Sequence, residues 1–409
     1  MNNILIINQF SSYPNNGFPT RSYSIANEFS KKYRVCLCFG SYHHRLSINF
    51  HQRSDLTYKS NFSVISLKLI KSKDSFFMRI INWFIFSLKL PFIKQKDIGF
   101  CPEIIIYSSP SLIGYIGAFI LSKRLKSKIY FEVRDIWPLS IHEILGVNKL
   151  NPAYLLLQWV EDFAYKNSYG IVSSLKNLQS HINNRINKKL NFHYSPNCLD
   201  EELFNIDSEI QAGSKSFPLF KEIEKIHNLD KKIVAYVGGI STSNNLDAFI
   251  ETAKACNDES LAWVCIGDGP DKKRIVNKCR DENIDNVIFF SKQEQFYMKK
   301  LLKKLDILFL ANQFLDLYSY GISPIKLAEH MSSGTPIIHV TNGYSLLEDA
   351  GCWVVHKNDN PKQILNEINS LLNMDETLKK MHANISIQYI NNEASIKNIC
   401  ENLEEFLCK

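Results

Sequence analysis

Tyr318-Ser-Tyr-Gly-Ile-Ser-Pro-Ile-Lys-Leu-Ala-Glu-His-Met-Ser-Ser-Gly-Thr-Pro-Ile-Ile338 is the stretch from which the rest of the chain can be read. Ser323 followed by Pro324 predicts a helix N-cap with proline at the first helical position. Gly334 and Pro336 predict its end, ahead of an apolar strand from Ile337 to Val340. A short helix leading into a buried strand is the unit of an α/β fold. The first turn of such a helix presents backbone N–H groups and the positive end of the helix dipole, which suits an anion such as a diphosphate. Lys326 stands in that turn and adds a full positive charge, and Glu329, one turn on, offers a carboxylate able to accept hydrogen bonds from sugar hydroxyls. On the local pattern alone, a surface helix with good ends, Lys326 solvated and Glu329 paired, reads equally well.

The chain has the same alternation on either side of this stretch. Its second half places apolar strands at Ile233–Val237, Leu261–Ile266, Val287–Phe290, Ile307–Leu310 and Trp353–Val355, with helix-period segments between them. The first half does likewise, with strands at Ile4–Asn8, Arg34–Phe39, Glu103–Tyr107, Lys128–Val133 and Gly170–Ser174. Such βαβ alternation predicts parallel sheets covered by helices on both faces. A length of 409 residues with 45% hydrophobic and 22% charged content suits two domains rather than one. The Lys-, Glu- and Ser-rich segment 205–232 reads as an exposed linker. The expected division is therefore 1–204, 205–384, and a closing helical segment, 385–409.

In an open α/β sheet, ligands gather at the carboxyl ends of strands. The loop after the first strand holds Gly17, which permits a tight backbone turn, and Arg21 at the following helix start, which suits a phosphate; a simple structural turn is the alternative. Val237-Gly-Gly-Ile-Ser241 carries Gly239 and Ser241 in a turn able to present N–H groups to phosphate, though most such turns are only turns. Gly267 and Gly269 make a second tight turn. Arg134 and Asp135 fall where a strand ends and Trp137-Pro138 opens a helix, either near a ligand or as a pair capping that helix.

Bulk properties exclude several classes. The ten cysteines are scattered without a CxxC pair or a zinc-spaced cluster, which reads as buried thiols in a reducing compartment. The amino terminus enters a strand directly, with no signal-like segment, and no run of about 18 apolar residues suggests a transmembrane helix. A net charge of +7 without a basic recognition motif gives no reason to expect nucleic acid. The stretch 75–94 mixes aromatic and basic residues; a helix there suits a bilayer interface, or equally the core of the sheet. The expected location is cytoplasmic, with a peripheral position on the inner membrane.

The Gly-Ile-Ser-Pro-x-Lys-Leu form of Gly321–Leu327 resembles the donor-binding element of retaining nucleotide-sugar glycosyltransferases of family 4, in the branch that builds bacterial surface polysaccharides such as O-antigen and capsule. The loop ending Thr20-Arg-Ser-Tyr23, the Phe131-Glu-Val-Arg-Asp-Ile-Trp-Pro138 segment, Pro196-Asn-Cys-Leu-Asp-Glu-Glu-Leu-Phe204 and Gly267-Asp-Gly-Pro270 resemble further motifs of that family in the same order. The resemblance implies the GT-B architecture, two Rossmann-like domains facing a central cleft. It implies transfer of a sugar from a nucleotide-diphosphate donor, with a UDP-sugar expected, to a hydroxyl of a lipid-diphosphate-linked glycan.

By resemblance, Gly17, Gly239, Ser241, Gly267, Tyr320, Gly321, Ile322, Ser323, Pro324 and Glu329 hold the donor. Lys326 and Asp135 are the catalytic candidates, and Arg21 and Arg134 face the acceptor. Gly321 occupies the place of the first of two family glutamates, while Thr242 and Asn244 stand near the places of its loop Arg and Lys, which leaves Lys326 as the principal cation. No cofactor and no metal are implied, since no DxD-like pair appears. The rival readings are a catalytically weak partner subunit of a polysaccharide-assembly complex and a nucleotide-sugar 2-epimerase.

Overall fold

Apolar runs that leave no polar face, such as Ile104–Ser108 and Leu261–Ile266, are buried along their whole length, which suits strands of parallel sheets with helices on both sides. The computed structural model describes residues 1–12, 20–43, 48–49, 61–71, 76–186, 189–200, 213–294 and 297–409. The chain forms two units, Met1–Pro196 with Ile396–Lys409, and Asn197–Ser395.

The first unit runs β1 (Asn3–Ile7), α1 (Arg21–Phe29), β2 (Arg34–Gly40), a short antiparallel pair β3 (Tyr42–His43) and β4 (Ile48–Asn49), and β5 (Phe62–Leu67). Next come α2 (Phe76–Lys89), a 3-10 turn at Leu90–Phe92, α3 (Gln95–Ile98), β6 (Ile104–Ser108), α4 (Gly114–Leu125) and β7 (Lys128–Val133). It continues through α5 (Leu139–Leu145), α6 (Pro152–Asn167), β8 (Gly170–Ser173), α7 (Leu178–Arg185) and β9 (Phe192–Tyr194). Its seven-stranded sheet has the order β5-β2-β1-β6-β7-β8-β9, with every neighbour parallel.

The second unit runs α8 (Phe217–Asn228), β10 (Lys232–Val237), α9 (Leu246–Lys254), β11 (Leu261–Ile266), α10 (Lys272–Asp281), β12 (Val287–Phe290), α11 (Met298–Lys303) and β13 (Ile307–Ala311). After these come α12 (Ile325–Ser333), β14 (Ile337–Val340), α13 (Leu346–Ala350), β15 (Val354–His356), α14 (Pro361–Leu372) and α15 (Glu376–Glu393), before the chain rejoins the first unit as α16 (Ile396–Cys408). The sheet order is β12-β11-β10-β13-β14-β15, again parallel throughout. In each sheet the first strand lies between strands wound in opposite directions, β1 between β2 and β6 and β10 between β11 and β13. These are topological switch points, where an open α/β sheet leaves a crevice at its carboxyl edge.

Three organisational expectations are corrected. The supposed linker contains α8, whose Leu219, Phe220, Ile223 and Ile226 are buried in the second core at helical spacing, a signal masked by the surrounding lysines and glutamates. The unit boundary falls at Asn197 rather than at 205, because Asn197 donates its backbone N–H to Ser323 Oγ at 2.8 Å and Leu199 bridges to Ser395. The closing segment is broken at Ala394–Ser395, so α15 packs on α12 within the second unit and only α16 belongs to the first. All ten cysteines are free thiols. Among the described residues no helix is long and apolar enough to cross a membrane.

Candidate active site

The crevice of the second sheet is built from the loops that follow β10, β11 and β13. After Val237 the chain turns at Gly238, with φ 155°, and a Cβ there would stand 2.9 Å from Lys326 Cδ. A Cβ on Gly267 would lie 1.9 Å from the Gly238 carbonyl oxygen, and one on Gly269 2.0 Å from that of Ile240. These glycines let the two loops run against one another, joined by the Ile240 N–H donating to the Asp268 carbonyl at 3.0 Å. Gly239 has open space where a side chain would be. Gly267 is buried, so it supports this site from beneath.

Lys326 extends from the first turn of α12 over this loop. Its ammonium donates to the Tyr236 hydroxyl at 3.1 Å and to Asn244 Oδ1 at 3.4 Å, and stands 4.7 Å from the centre of the Tyr236 ring. The Tyr236 hydroxyl in turn donates to the Gly239 carbonyl at 2.5 Å, and Asn244 donates to that carbonyl at 2.7 Å and to Ser241 Oγ at 3.0 Å. Both partners of the lysine are uncharged. Burial therefore pushes its pKa down to about 7. A cation held over a glycine turn by neutral groups is a receptor for an incoming anion.

The helix behind it begins differently from the sequence expectation. Pro324 is the N-cap, with no side-chain cap, and Ser323 lies one residue earlier. The reason is competition: the Ser323 hydroxyl accepts from the Asn197 N–H, and its carbonyl accepts from the Asn197 side-chain amide. The Leu327 N–H of the first turn donates to the Pro324 carbonyl at 3.1 Å, and among the described residues no side chain caps the start of α12. Gly334 closes the helix as expected, at φ 75°.

Gly321 has φ 117° and ψ 157°, a region that side-chain-bearing residues avoid. Its neighbour Ile322 donates its N–H to the Tyr344 carbonyl at 3.2 Å and lies against Gly343, where a Cβ would meet Ile322 Cδ1 at 2.6 Å. Tyr320 ends a 3-10 turn, Asp316–Tyr320, and is half-buried. Glu329 is half-buried one turn beyond Lys326 on α12.

Beneath the loops lies a tie that the sequence reading missed. His339 on β14 sits between Ser345 Oγ at 2.9 Å and Asn312 Oδ1 at 2.8 Å, and Asn312 in turn reaches the Ser243 carbonyl at 3.4 Å. Burial, then the charge of Lys326, pushes His339 down to about 3, and the same causes push His330 on α12 down to about 3. Both imidazoles are neutral, and the positive charge of the site rests on Lys326. Tyr236 and Asn197 were also missed. A lone tyrosine near the end of an aliphatic strand is the signal that would have found the first; nothing local marks Asn197 as the partner of Ser323.

In the first unit Asp135 is exposed just after β7, and Arg134 is half-buried, its N–H donating to Ser109 Oγ at 2.9 Å. Arg21 does not face outward. Its side chain is 2% exposed and pairs with Glu132 at 2.8 Å, while donating to the Ser195 carbonyl and hydroxyl at 3.0 and 2.6 Å and to the Pro196 carbonyl. Burial alone would raise the Glu132 carboxyl, but Arg21 and then Arg134 hold it below its ordinary value. The arginine is committed to the interior, and its assignment to the acceptor is withdrawn. Gly17 lies outside the described residues. Among the described residues no group of three or more metal-ligating side chains is assembled.

Residues 220–387 match the profile of glycosyl transferases group 1, a span that lies within the second unit. A 77-residue segment is 32% identical to WcaI of Escherichia coli K12, described as a colanic acid biosynthesis glycosyl transferase; the segment spans 19% of this chain and 19% of that relative. The fold is similar to that of HepE from Anabaena, solved with UDP and glucose, at a TM-score of 0.67 and 11% identity over 99% of each chain. It is also similar to WaaG, a glycosyltransferase involved in lipopolysaccharide biosynthesis, at a TM-score of 0.63 and 12% identity over 98% of each chain.

Proposed function

The second unit of this chain is a group 1 glycosyl transferase domain, in a protein with the two-domain GT-B fold of glycosyltransferases, and from that premise we propose that it transfers a sugar from a nucleotide-diphosphate donor with retention at the anomeric carbon. The observation that carries this reading is Lys326, held by Tyr236 and Asn244 over the Gly238–Gly239 turn beside the uncapped start of α12. The energetic problem of the reaction is the negative charge that grows on the departing diphosphate. In this reading Lys326 and the amides at the start of α12 meet that charge. This reading assigns the charge to these groups rather than to a metal, and no cofactor enters it.

In this reading UDP is the nucleotide, a choice supported by the UDP complex of HepE. Glu329 accepts from the ribose hydroxyls, and Gly239 and Ser241 line the diphosphate. Tyr320, Gly321 and Ile322 approach the sugar. Asp135, with Arg134 beside it, serves the acceptor. That acceptor is a lipid-diphosphate-linked glycan of surface-polysaccharide synthesis, supported by the names carried by WcaI and WaaG, and the protein works in the cytoplasm, peripheral to the inner membrane.

The test is a panel of nucleotide sugars with a lipid-diphosphate acceptor, read by product mass, in wild type and Lys326→Ala. Loss of one preorganised charge donor predicts a fall in transfer of about 100-fold or more. Equal turnover in the variant would show that another group neutralises the diphosphate. Inertness of the wild type with every donor would favour the partner-subunit reading, and an acceptor-independent epimer of the donor would favour the epimerase.

A further inference from the structure

Helices that cover a sheet in water carry polar residues on their outward ridges. On one face of the first sheet large apolar side chains stand among them. α2 turns Asn82 and Phe86 inward, and Leu90 of the 3-10 turn after it is buried too; α2 lies so close to α4 that a Cβ on Gly117 would stand 2.0 Å from the Ser87 carbonyl oxygen. On the opposite side of α2, Phe77, Phe84 and Leu88 are 68%, 42% and 68% exposed. α4 exposes Ile120, and α6 packs on α4 through Phe119 and Phe163, whose rings are 5.1 Å apart. The outward ridge of α6 carries Leu155 and Trp159, one turn apart, while Leu145 at the end of α5 and Leu150 in the connection to α6 are exposed as well.

Single exposed apolar residues need no explanation, but a set shared by neighbouring helices does. Among the described residues, ten of the seventeen large exposed hydrophobic side chains lie on α2, α4, α6, the 3-10 turn after α2, the end of α5 and the α5–α6 connection. Charge beside this face is mainly positive: Asp97 is exposed next to Lys94 and Lys96, Glu161 of α6 is buried, and Asp162 of α6 is paired with Arg185 at 2.8 Å. α2 and α4 contain no acidic residue, and Lys89, Lys94, Lys96, Lys123, Arg124 and Lys149 are exposed on or beside these helices. An apolar surface edged with cations matches a bilayer of apolar chains beneath anionic headgroups.

We propose that this three-helix face rests in the interface of an anionic lipid bilayer, with Leu150, Leu155 and Trp159 entering the headgroup region together with the outward ridge of α2. The contact then reaches well beyond the stretch 75–94. Tryptophan is suited to that depth, with an apolar body and one N–H for the wet side, and the lysine stems can lie along the apolar surface with their charges outward. The purpose of the contact rests on the lipid-linked acceptor proposed above; the surface itself is read from its side chains.

The experiment sediments the full chain, without donor or acceptor, with vesicles of phosphatidylcholine alone or mixed with phosphatidylglycerol. Transfer plays no part in the readout, so a failed transferase reading and a failed surface remain distinguishable. Binding is expected to the mixed vesicles, weakened by salt. Leu155→Ser with Trp159→Ser is expected to lower partitioning by about 10-fold or more, as is Phe84→Ser with Leu88→Ser. Circular dichroism and UDP titration report folding. Should the α6 pair fail to fold, quenching of tryptophan emission by brominated lipid replaces it, and is expected to drop in Trp159→Phe. Wild-type binding by the α6 pair, or undiminished quenching in Trp159→Phe, overturns the proposal by leaving α2 as the only contact. Absence of vesicle binding together with self-association abolished by these substitutions overturns it in favour of a protein partner.

Discussion

Lys326 shows how much one residue draws from its surroundings. Its presence in the first turn of a helix is plain in the sequence, whereas its pKa of about 7 follows from burial against uncharged partners contributed by β10 and the loop after it. The sign of the consequence is definite. The folded pKa is depressed, so above pH 7 the lysine of the empty protein is mostly neutral, and a bound diphosphate restores its proton. UDP binding at pH 8 should therefore take up close to one proton, and this uptake should fade below pH 6. Calorimetry in buffers of different ionisation enthalpy measures it, with Lys326→Met as the control that removes the lysine's share. Affinity for UDP should fall correspondingly as pH rises above 7. Gly321 makes the complementary point. Its φ of 117° is one that a residue with a side chain adopts only under strain. Gly321→Ala should lower stability by about 1–3 kcal/mol, seen as a lower melting temperature, while an unchanged melting temperature would mean that the turn adapts.

At the level of elements, the site depends on two loops passing at backbone contact. Gly267 and Gly269 were legible as turn residues, but the reason for glycine is the carbonyl of the opposite loop, less than or about 2 Å from any Cβ placed there. Gly267→Ala should push the Gly238 loop away from Lys326 and weaken UDP binding by about 10-fold or more, with some loss of stability, since a displaced loop misplaces charge donors that work only at hydrogen-bond distance. Titration of the variant checks this; wild-type affinity would show that the loop positions the diphosphate poorly or not at all. Likewise the helix start at Pro324 rather than Ser323 was beyond local reading, because serine before proline is a sound N-cap signal until another backbone N–H takes its hydroxyl.

Across the whole molecule, the chain returns to its first unit through α16. Ile399, Cys400, Leu403 and Leu407 are buried along one side of this helix, Glu404 accepts from Lys32 at 3.1 Å and from the Tyr33 hydroxyl, and Phe406 packs on Tyr130 and His193. Three or four buried side chains at about 1.5–3 kcal/mol each approach the whole stability of an ordinary domain. Truncation after Ser395 should therefore unfold the first unit while the second keeps its UDP affinity, measured by hydrogen exchange and titration in the same sample. Protection of β1 and β6 in the truncated chain would refute it. What the sequence determined by itself was everything carried by short-range pattern: the apolar runs that became parallel strands, the glycine turns, the helix end at Gly334, and the two-unit α/β fold. Only the tertiary structure decided which polar group meets which. Arg21 is taken inward by Glu132, 111 residues away, and Ser323 is occupied by Asn197, 126 residues away. Hydrophobic periodicity is written along the chain, whereas a hydrogen bond is chosen by whichever partner the finished packing brings within reach.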